Sequence, residues 1–375
     1  MTLRPSSPRF VRLRRRLLDE WLLVLLVALL PVMLWLAPSR PAEIAALVDW
    51  KTIDALAGLM ALSRGLELSG VIDRIGRALV RRIRSERTLA VVLMLFAALL
   101  SAVVTNDVAL FVTVPLTLAL ARATPLPVGR LVVFQALAVN AGSAASPVGN
   151  PQNLLLWQVS GLGFVDFLVA MLPIAGAMTA ILFALAPLAF AGRRIAPPET
   201  ASPMPLSPWL AGVSLAAYPG FILLLNAGLA PSAAAIVLGF YAVAFRRVLL
   251  GLDWALLAVF ILMFVVLGLL ARLPIVAEAA PSALAWPGGV YVLGAALSQV
   301  MSNVPAAIFL AFFTDDWRAL AWGVSVGGFG LAIGSLANLI ALRLAKQPGL
   351  WLEFHRWSLP MLVLGLAAGA VLLER

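Results

Sequence analysis

SAVVTNDVALFVTVP, residues Ser101–Pro115, puts Thr105, Asn106 and the ionisable Asp107 inside sequence that otherwise reads as oil. Twelve apolar residues, Leu89–Leu100, lead into it, and mostly apolar sequence continues to Ala121. The run Leu89–Ala121 is 33 residues long. As one helix it would measure about 50 Å, against a hydrocarbon core of about 30 Å. Both ends are basic, with Arg84 and Arg87 before it and Arg122 and Arg130 after it. A single crossing would leave one basic end on the far side. A re-entrant hairpin over 89–121 keeps both on the cytoplasmic side and puts Thr105–Asp107 at its tip, near the middle of the membrane. Irregular backbone is tolerated at that depth only against protein or a watery cavity.

The rest of the chain asks for the same solvent. It is 63% hydrophobic and 12% charged over 375 residues, too few charges to cover a soluble domain of that size. Apolar runs of nearly membrane-spanning length recur at 21–37, 164–191, 209–225, 254–270 and 358–373. Period-2 alternation is absent, which excludes a β-barrel. The net charge of +10 comes from Arg in short loops between apolar runs, where it sets orientation and does not call for nucleic acid. With no Cys there is neither a disulfide framework nor a thiolate metal site. The one His, His355, reads as an interfacial loop residue. No His-Glu-x-x-His ligand pair occurs, and one deep Asp cannot make an aspartyl protease dyad. The sequence therefore argues against an enzyme, a metal site and a resident cofactor.

Charge then orders the spans. The basic segment 1–20 carries six Arg and is placed in the cytoplasm, followed by Trp21–Pro38 as a retained first span. Asp49–Gly70 returns, and the Arg-rich stretch 73–87 reads as an amphipathic surface helix. After the hairpin, 130–161 reads as a broken helix unwound at Ser143–Gly149, with Asn150 as N-cap and Pro151 opening the second half-helix. The Pro-rich linker 193–208 divides a first half, 21–192, from a second, 209–375. That second half holds an outer-side hairpin at 288–313 with Ser302 and Asn303 at its tip, and a second broken helix at 318–346. The map has about nine spans, two hairpins and two broken helices in an all-α membrane protein, N-terminus inside and C-terminus outside. It leaves 21 Lys and Arg inside and five outside. Arg64 falls within a span, three residues from Glu67, and that pair is expected to neutralise itself.

A second order runs through both halves. Asp49-Trp50 and Asp253-Trp254 each open a span, and both Asp read as N-caps. Asn106 and Asn303 mark the hairpin tips. Gly149…Asn153-Leu154 and Gly334…Asn338-Leu339 mark the helix breaks. One copy enters from outside and the other from inside, which is the inverted-repeat plan of secondary transporters, with a midplane site between interrupted helices.

Four half-helices, starting after Asp107, Asn150, Asn303 and Ser335, should then meet at mid-membrane. Their free N–H groups and positive dipole ends suit an anion. Thr105, Asn106, Asn150, Asn153, Ser302, Asn303, Ser335 and Asn338 are the candidate substrate ligands. Gly149, Pro151 and Gly334 shape the breaks. Asn153 and Asn338 read equally as interhelical hydrogen-bond residues, and Gly149 and Gly334 as close-packing sites. Asp107, with Thr105 and Asn106, is the candidate for a coupling H+ or Na+, because a charged Asp at a helix centre costs about 2.5–3.5 kcal/mol. The bland alternative is an Asp that caps the hairpin's second arm.

At TNDVALFVTVPL, LAVNAGSAASPVGNPQNLLLW, LSQVMSNVP and VGGFG…GSLANLIALR the chain resembles the ion transporter superfamily. Within it, the chain is similar to the arsenical-pump and citrate-permease-like branch, a bacterial inner-membrane permease group. The resemblance covers nearly the whole chain. It implies a permease with a scaffold and a transport domain, elevator-like alternating access, a small inorganic or organic anion as substrate, and a homodimer. One departure stands out. The dicarboxylate branch carries Ser-Asn-Thr at both tips, whereas here they are Thr105-Asn106-Asp107 and Ser302-Asn303-Val304. A cation/proton antiporter of the same superfamily is the alternative reading.

Overall fold

The computed structural model describes residues 21–196 and 203–374; the basic segment 1–20, the middle of the Pro-rich linker and Arg375 lie outside the described residues. Helices form wherever the apolar runs are long. There are nineteen α-helices and a single 3-10 turn among the described residues, with one isolated bridge, Ser85 to Arg194, as the extended pairing found there. Five helices among the described residues are long and apolar enough to cross a membrane unaided, and Trp50–Leu68 with Val71–Val80 forms a bent pair; five shorter apolar helices accompany them.

The chain builds the same unit twice. In the first, α1 (Trp21–Leu36), the one-turn α2 (Pro41–Ala45) and α3 (Trp50–Leu68) lead through α4 (Val71–Val80) to a hairpin of α5 (Glu86–Val103) and α6 (Asn106–Ala123). A broken helix, α7 (Val128–Ser143) and α8 (Pro151–Ser160), and the long α9 (Phe164–Ala189) complete it. After α10 (Pro208–Asn226) the order repeats. α11 (Ala230–Ala244), α12 (Arg246–Leu250), α13 (Trp254–Ala271) and α14 (Pro274–Leu284) precede a hairpin of α15 (Gly289–Met301) and α16 (Asn303–Leu310). Next come a broken helix, α17 (Trp317–Gly327) and α18 (Leu336–Ala345), and α19 (Leu350–Leu373). α10 has no counterpart in the first unit. The inverted-repeat plan expected from the sequence requires an odd number of crossings between the two starts, and α10 is the additional helix between them.

Local chemistry repeats with the order. Asp49 caps α3 by accepting from Lys51 N (3.1 Å) and Thr52 N (3.3 Å), and Asp253 caps α13 by accepting from Leu256 N (2.9 Å). The Trp after each cap donates back five residues, Trp50 Nε1 to Ala45 O (3.1 Å) and Trp254 Nε1 to Leu249 O (3.0 Å). Gly142 and Gly327 each let a broken helix touch a hairpin. A Cβ at Gly142 would lie 2.0 Å from Ala98 O, and one at Gly327 2.6 Å from Ser298 Cβ and 3.1 Å from Ala295 O.

The first hairpin closes on itself. A Cβ on Gly76 of α4 would meet Phe96 of α5 at 2.9 Å and Leu116 of α6 at 3.0 Å, so the two arms lie side by side. At its base Arg193 ion-pairs with Glu86, at the start of α5, and donates to Pro125 O (3.2 Å), just past the end of α6. Both ends of the hairpin are thus fastened to one residue. The arms differ from those of the second hairpin. They have 18 residues each, about 27 Å, whereas α15 and α16 have 13 and 8. α4 departs from α3 by 57°, and its buried residues, Ile72, Gly76 and Val80, fall on one stripe, as a surface helix requires.

Two bodies can be told apart by what binds them internally. α3, α10 and α11 share buried hydroxyl pairs, Ser63 with Tyr218 (2.5 Å) and Ser214 with Tyr241 (2.7 Å). The hairpins, broken helices, α9 and α19 are tied by Arg130 to Glu353 (2.6 Å), by Trp322 Nε1 to Ala170 O (3.1 Å) and by Tyr291 OH to Gly365 O (3.0 Å). Large apolar side chains stay exposed around the outside, Trp35, Leu188, Val243 and Leu352 among them. So much exposed oil fits lipid and not water.

Candidate functional site

The hairpin tips and helix breaks meet. One cavity of about 40 Å³ is bordered by Thr105, Asn106 and Asp107 of the first tip, Asn303 and Val304 of the second, Pro151 opening α8, and Leu336 and Ala337 opening α18. α3 and α13 supply its apolar walls, with Leu56 and Phe260 at matching positions, each seven residues past the capping Asp. The four N-termini of α6, α8, α16 and α18 therefore border one space, with the positive ends of their dipoles toward it.

The ends are not equally free. Asn106 N donates to Gly149 O (2.9 Å), which pins the first tip to the first break, and Asn106 Oδ1 accepts from Asp107 N (2.9 Å). Asn150 Oδ1 caps α8 through Asn153 N (2.8 Å), and Ser335 Oγ accepts from Ala337 N (3.3 Å) at the start of α18. α16 has no side-chain cap. Ser302, which precedes it, has φ 76° and ψ 157°, a region that suits Gly and strains any other residue by roughly 1–3 kcal/mol. Its buried hydroxyl has no partner, and neither does that of Thr105 at the first tip. Thr105 Oγ1 lies beside the Asp107 carboxylate without closing a bond of ordinary geometry. Asp107 N is already bonded to Asn106 Oδ1, and Asp107 stays half-buried at the cavity. The Asn303 side chain, 2% exposed, borders the cavity among the ends of these helices.

The remaining expected ligands bond to the scaffolding of the breaks, although Asn153 Oδ1 is buried without a partner. Asn153 Nδ2 donates to the carbonyls of Ser143 (3.3 Å), Ala144 (2.9 Å) and Ser146 (3.2 Å), across the unwound segment. Asn338 Nδ2 does the same for Gly328 O (2.9 Å). Asn150 Nδ2 donates to Ser143 Oγ (3.2 Å). A Cβ on Gly149 would fall 2.6 Å from Ser143 O, and one on Gly334 2.7 Å from Gly327 O. Tips and helix starts thus reach the cavity, while Asn150, Asn153, Ser335 and Asn338 hold its frame.

Sequence reasoning passed over two features and misplaced one. Asn140 of α7 joins the two units. Its Nδ2 donates to Asn338 Oδ1 (2.8 Å) and Gly328 O (3.2 Å), and its Oδ1 accepts from Ser335 Oγ (2.9 Å). The signal was its register, since Ser325 occupies the matching place of the second unit. The second feature is a vestibule of about 60 Å³ that shares Met60, Thr105 and Asp107 with the central cavity and adds Arg64, Glu67 and Asp253. Arg64 and Glu67 do pair, at 2.7 Å, but they line a route to the site. His355, expected in a loop, belongs to α19 and accepts from Ala332 N (3.2 Å) in the second break; helix continues there because nothing between Leu350 and Trp357 breaks it. A third, larger cavity of about 440 Å³ between α1, α13 and the second hairpin is apolar apart from Ser302 and offers no chemistry.

Among the described residues no cluster of His, Cys, Asp and Glu can hold a metal ion. Comparisons agree with the architecture. The chain is 45% identical over 338 residues to the inner membrane protein YbiR of Escherichia coli (strain K12), covering 90% of this chain and 91% of that one. It is 30% identical over 343 residues to an uncharacterized transporter of Methanocaldococcus jannaschii, covering 88% and 90%. The crystal structure of the Alcanivorax borkumensis YdaH transporter, described as having an unusual topology, superposes with a TM-score of 0.55 over 96% of this chain and 98% of that one, at 18% identity. The model of the citrate transporter family, CitMHS, matches residues 15–327. This chain is a multi-pass membrane transporter, not an enzyme, and belongs to the citrate transporter family.

Proposed function

We propose that the protein is a secondary active transporter that moves a small anion or oxyanion by elevator-like alternating access, with Asp107 carrying the coupling H+ or Na+. The observation behind this reading is the meeting of four helix N-termini at one cavity, with the start of α16 uncapped. Partly buried ends of this kind are worth up to about 2 kcal/mol each to an anion. Asp107 in the same cavity would repel the anion unless a proton or Na+ neutralised it, which couples the two. The internal ties of the hairpin body, against the separate ties of α3, α10 and α11, support movement of one body past the other.

The acid also favours a second reading. No Lys or Arg lines the central cavity, and the vestibule has three carboxylates to one guanidinium. A cation/proton antiporter would use both without binding an organic anion.

Thermal shift of purified protein separates them. Inorganic oxyanions, di- and tricarboxylates, arsenite and sodium are tested at two pH values. Stabilisation by an anion that grows with sodium or with acidity supports coupled anion transport, and stabilisation by sodium alone supports the antiporter. In liposomes, Asp107→Asn is expected to abolish gradient-driven accumulation. Retained, pH-dependent accumulation would remove Asp107 as the coupling group.

A further inference from the structure

Asn140 and Asn338 hold the second helix break at Gly328 O and Ser335 Oγ, and two further side chains, of different chemistry, hold the Leu331–Ala332 end of its turn. Gln299 of α15 accepts from Leu331 N (2.6 Å) through Oε1 and donates to Gly327 O (2.8 Å) and Ala295 O (2.8 Å) through Nε2. The next amide, Ala332 N, donates to His355 Nε2 of α19 (3.2 Å). The other ring nitrogen, Nδ1, lies 2.7 Å from Trp351 O. Each partner fixes a role. A backbone N–H can only donate, so Nε2 must present its lone pair. A carbonyl can only accept, so Nδ1 must carry the proton. The bond to the break thus exists only for the neutral imidazole in that tautomer.

We propose that His355 is a positioning residue for the transport site, and that its protonation loosens the second helix break. An imidazolium carries N–H on both nitrogens, so Nε2 would point a donor at the Ala332 donor. Ala332 begins the 3-10 turn Ala332–Gly334, which runs into Ser335 and the start of α18. Leu336 and Ala337 border the central cavity, so loosening the turn loosens the segment that leads into one of its four walls. The Gln299 tether beside it and the amide bonds of Asn140 and Asn338 keep at any pH, so the Leu331–Ala332 end of the turn loses one of its two side-chain ties.

The surroundings allow the proton to arrive. His355 is part-exposed, with the rings of Trp351 (4.8 Å) and Phe354 (5.5 Å) against it. Charged groups on the elements around it are Glu353 and Arg356 of its own helix, Arg130 of α7, which is tied to Glu353, Arg318 at the start of α17 and Asp166 at the start of α9. The break itself and α15 bring none. The first unit has no such device. Past Asp166, α9 contains no titratable residue, and the first break is held by Ser146, Asn150 and Asn153. The second break is therefore held directly by a titratable side chain, whereas the first is tied to one only through the tip that carries Asp107.

The inference takes the transport reading as its context, but its test needs no substrate, so the two can fail separately. Amide hydrogen exchange is followed in the peptide 328–336 of the purified, full-length protein at about pH 6 and about pH 8, with times rescaled for the base-catalysed intrinsic rate. Loss of one backbone tether is expected to lower protection at the acid pH by about three- to tenfold in the wild type. His355→Gln keeps an acceptor oxygen and cannot charge, so its protection should stay level between the two. Wild-type protection that is equal at both pH values overturns the proposal whatever the variant does, and so does an unchanged acid loss in His355→Gln.

Discussion

Ser302 shows how much one residue can carry. It turns the second hairpin with a positive φ and leaves its hydroxyl unpartnered, whereas the first tip turns through Val104 and Thr105 in ordinary extended conformations. Strain kept at a ligand site is a reason to suspect a role. Ser302→Gly should relieve it and raise stability by roughly 1–3 kcal/mol, read as a higher melting temperature, while Ser302→Ala should give no such rise. If both variants melt like the wild type, the tip is not strained. Asp107 belongs to the same scale. The sequence exposed it as the one acid deep in the first hairpin, and the coupling role proposed for it is a matter for flux measurements, not for its position alone.

Among the elements, the broken helices depend on side-chain amides that replace missing backbone bonds. Asn140 is the costliest to lose, because Asn140→Leu strands Asn338 Oδ1, Ser335 Oγ and one acceptor bond of Gly328. Each buried unsatisfied group costs about 1–3 kcal/mol, moderated in membranes by the partners an unfolded helix finds. The variant should unfold at clearly lower temperature than Asn226→Leu, whose side chain accepts from Phe164 N at an exposed loop (2.8 Å). Close approach makes a second test. Gly142→Val would force atoms into Ala98 O, 2.0 Å from the missing Cβ, whereas Gly212 and Gly239 face open space. Folded yield from size-exclusion chromatography should collapse for Gly142→Val and stay near wild type for Gly212→Ala. Equal yields would show that the hairpin and broken helix do not touch there.

For the whole molecule the claim is inversion. The absence of native Cys makes single-cysteine labelling clean. Arg84→Cys and Pro125→Cys flank the first hairpin, and Pro287→Cys and Asp315→Cys flank the second, all at exposed positions. A membrane-impermeant thiol reagent is expected to reach the first two from the cytoplasmic face and the last two from the opposite face. Labelling of all four from one face would end the inverted-repeat account. The arrangement has a mechanical corollary. Arg193 fastens both ends of the first hairpin, so Arg193→Ala should splay its base and slow transport without touching the cavity.

The sequence alone determined the solvent, the order of the main helices, the two hairpins and the two breaks. Apolar length, loop charge, Pro and Gly are properties of neighbouring residues, and the membrane leaves backbone little choice but helix. The repeat was legible for the same reason, since Asp-Trp, the tip Asn and Gly-x-x-x-Asn each mark a local event. Which polar groups face the cavity was decided by the tertiary structure. Asn106 and Asn153 look alike in sequence, yet one borders the space between units and the other ties three carbonyls within its own break. Asn140 and His355 gained their partners 198 and 23 residues away. Hydrogen-bond partners so distant in the chain are set by how helices meet, and local pattern holds no record of that meeting.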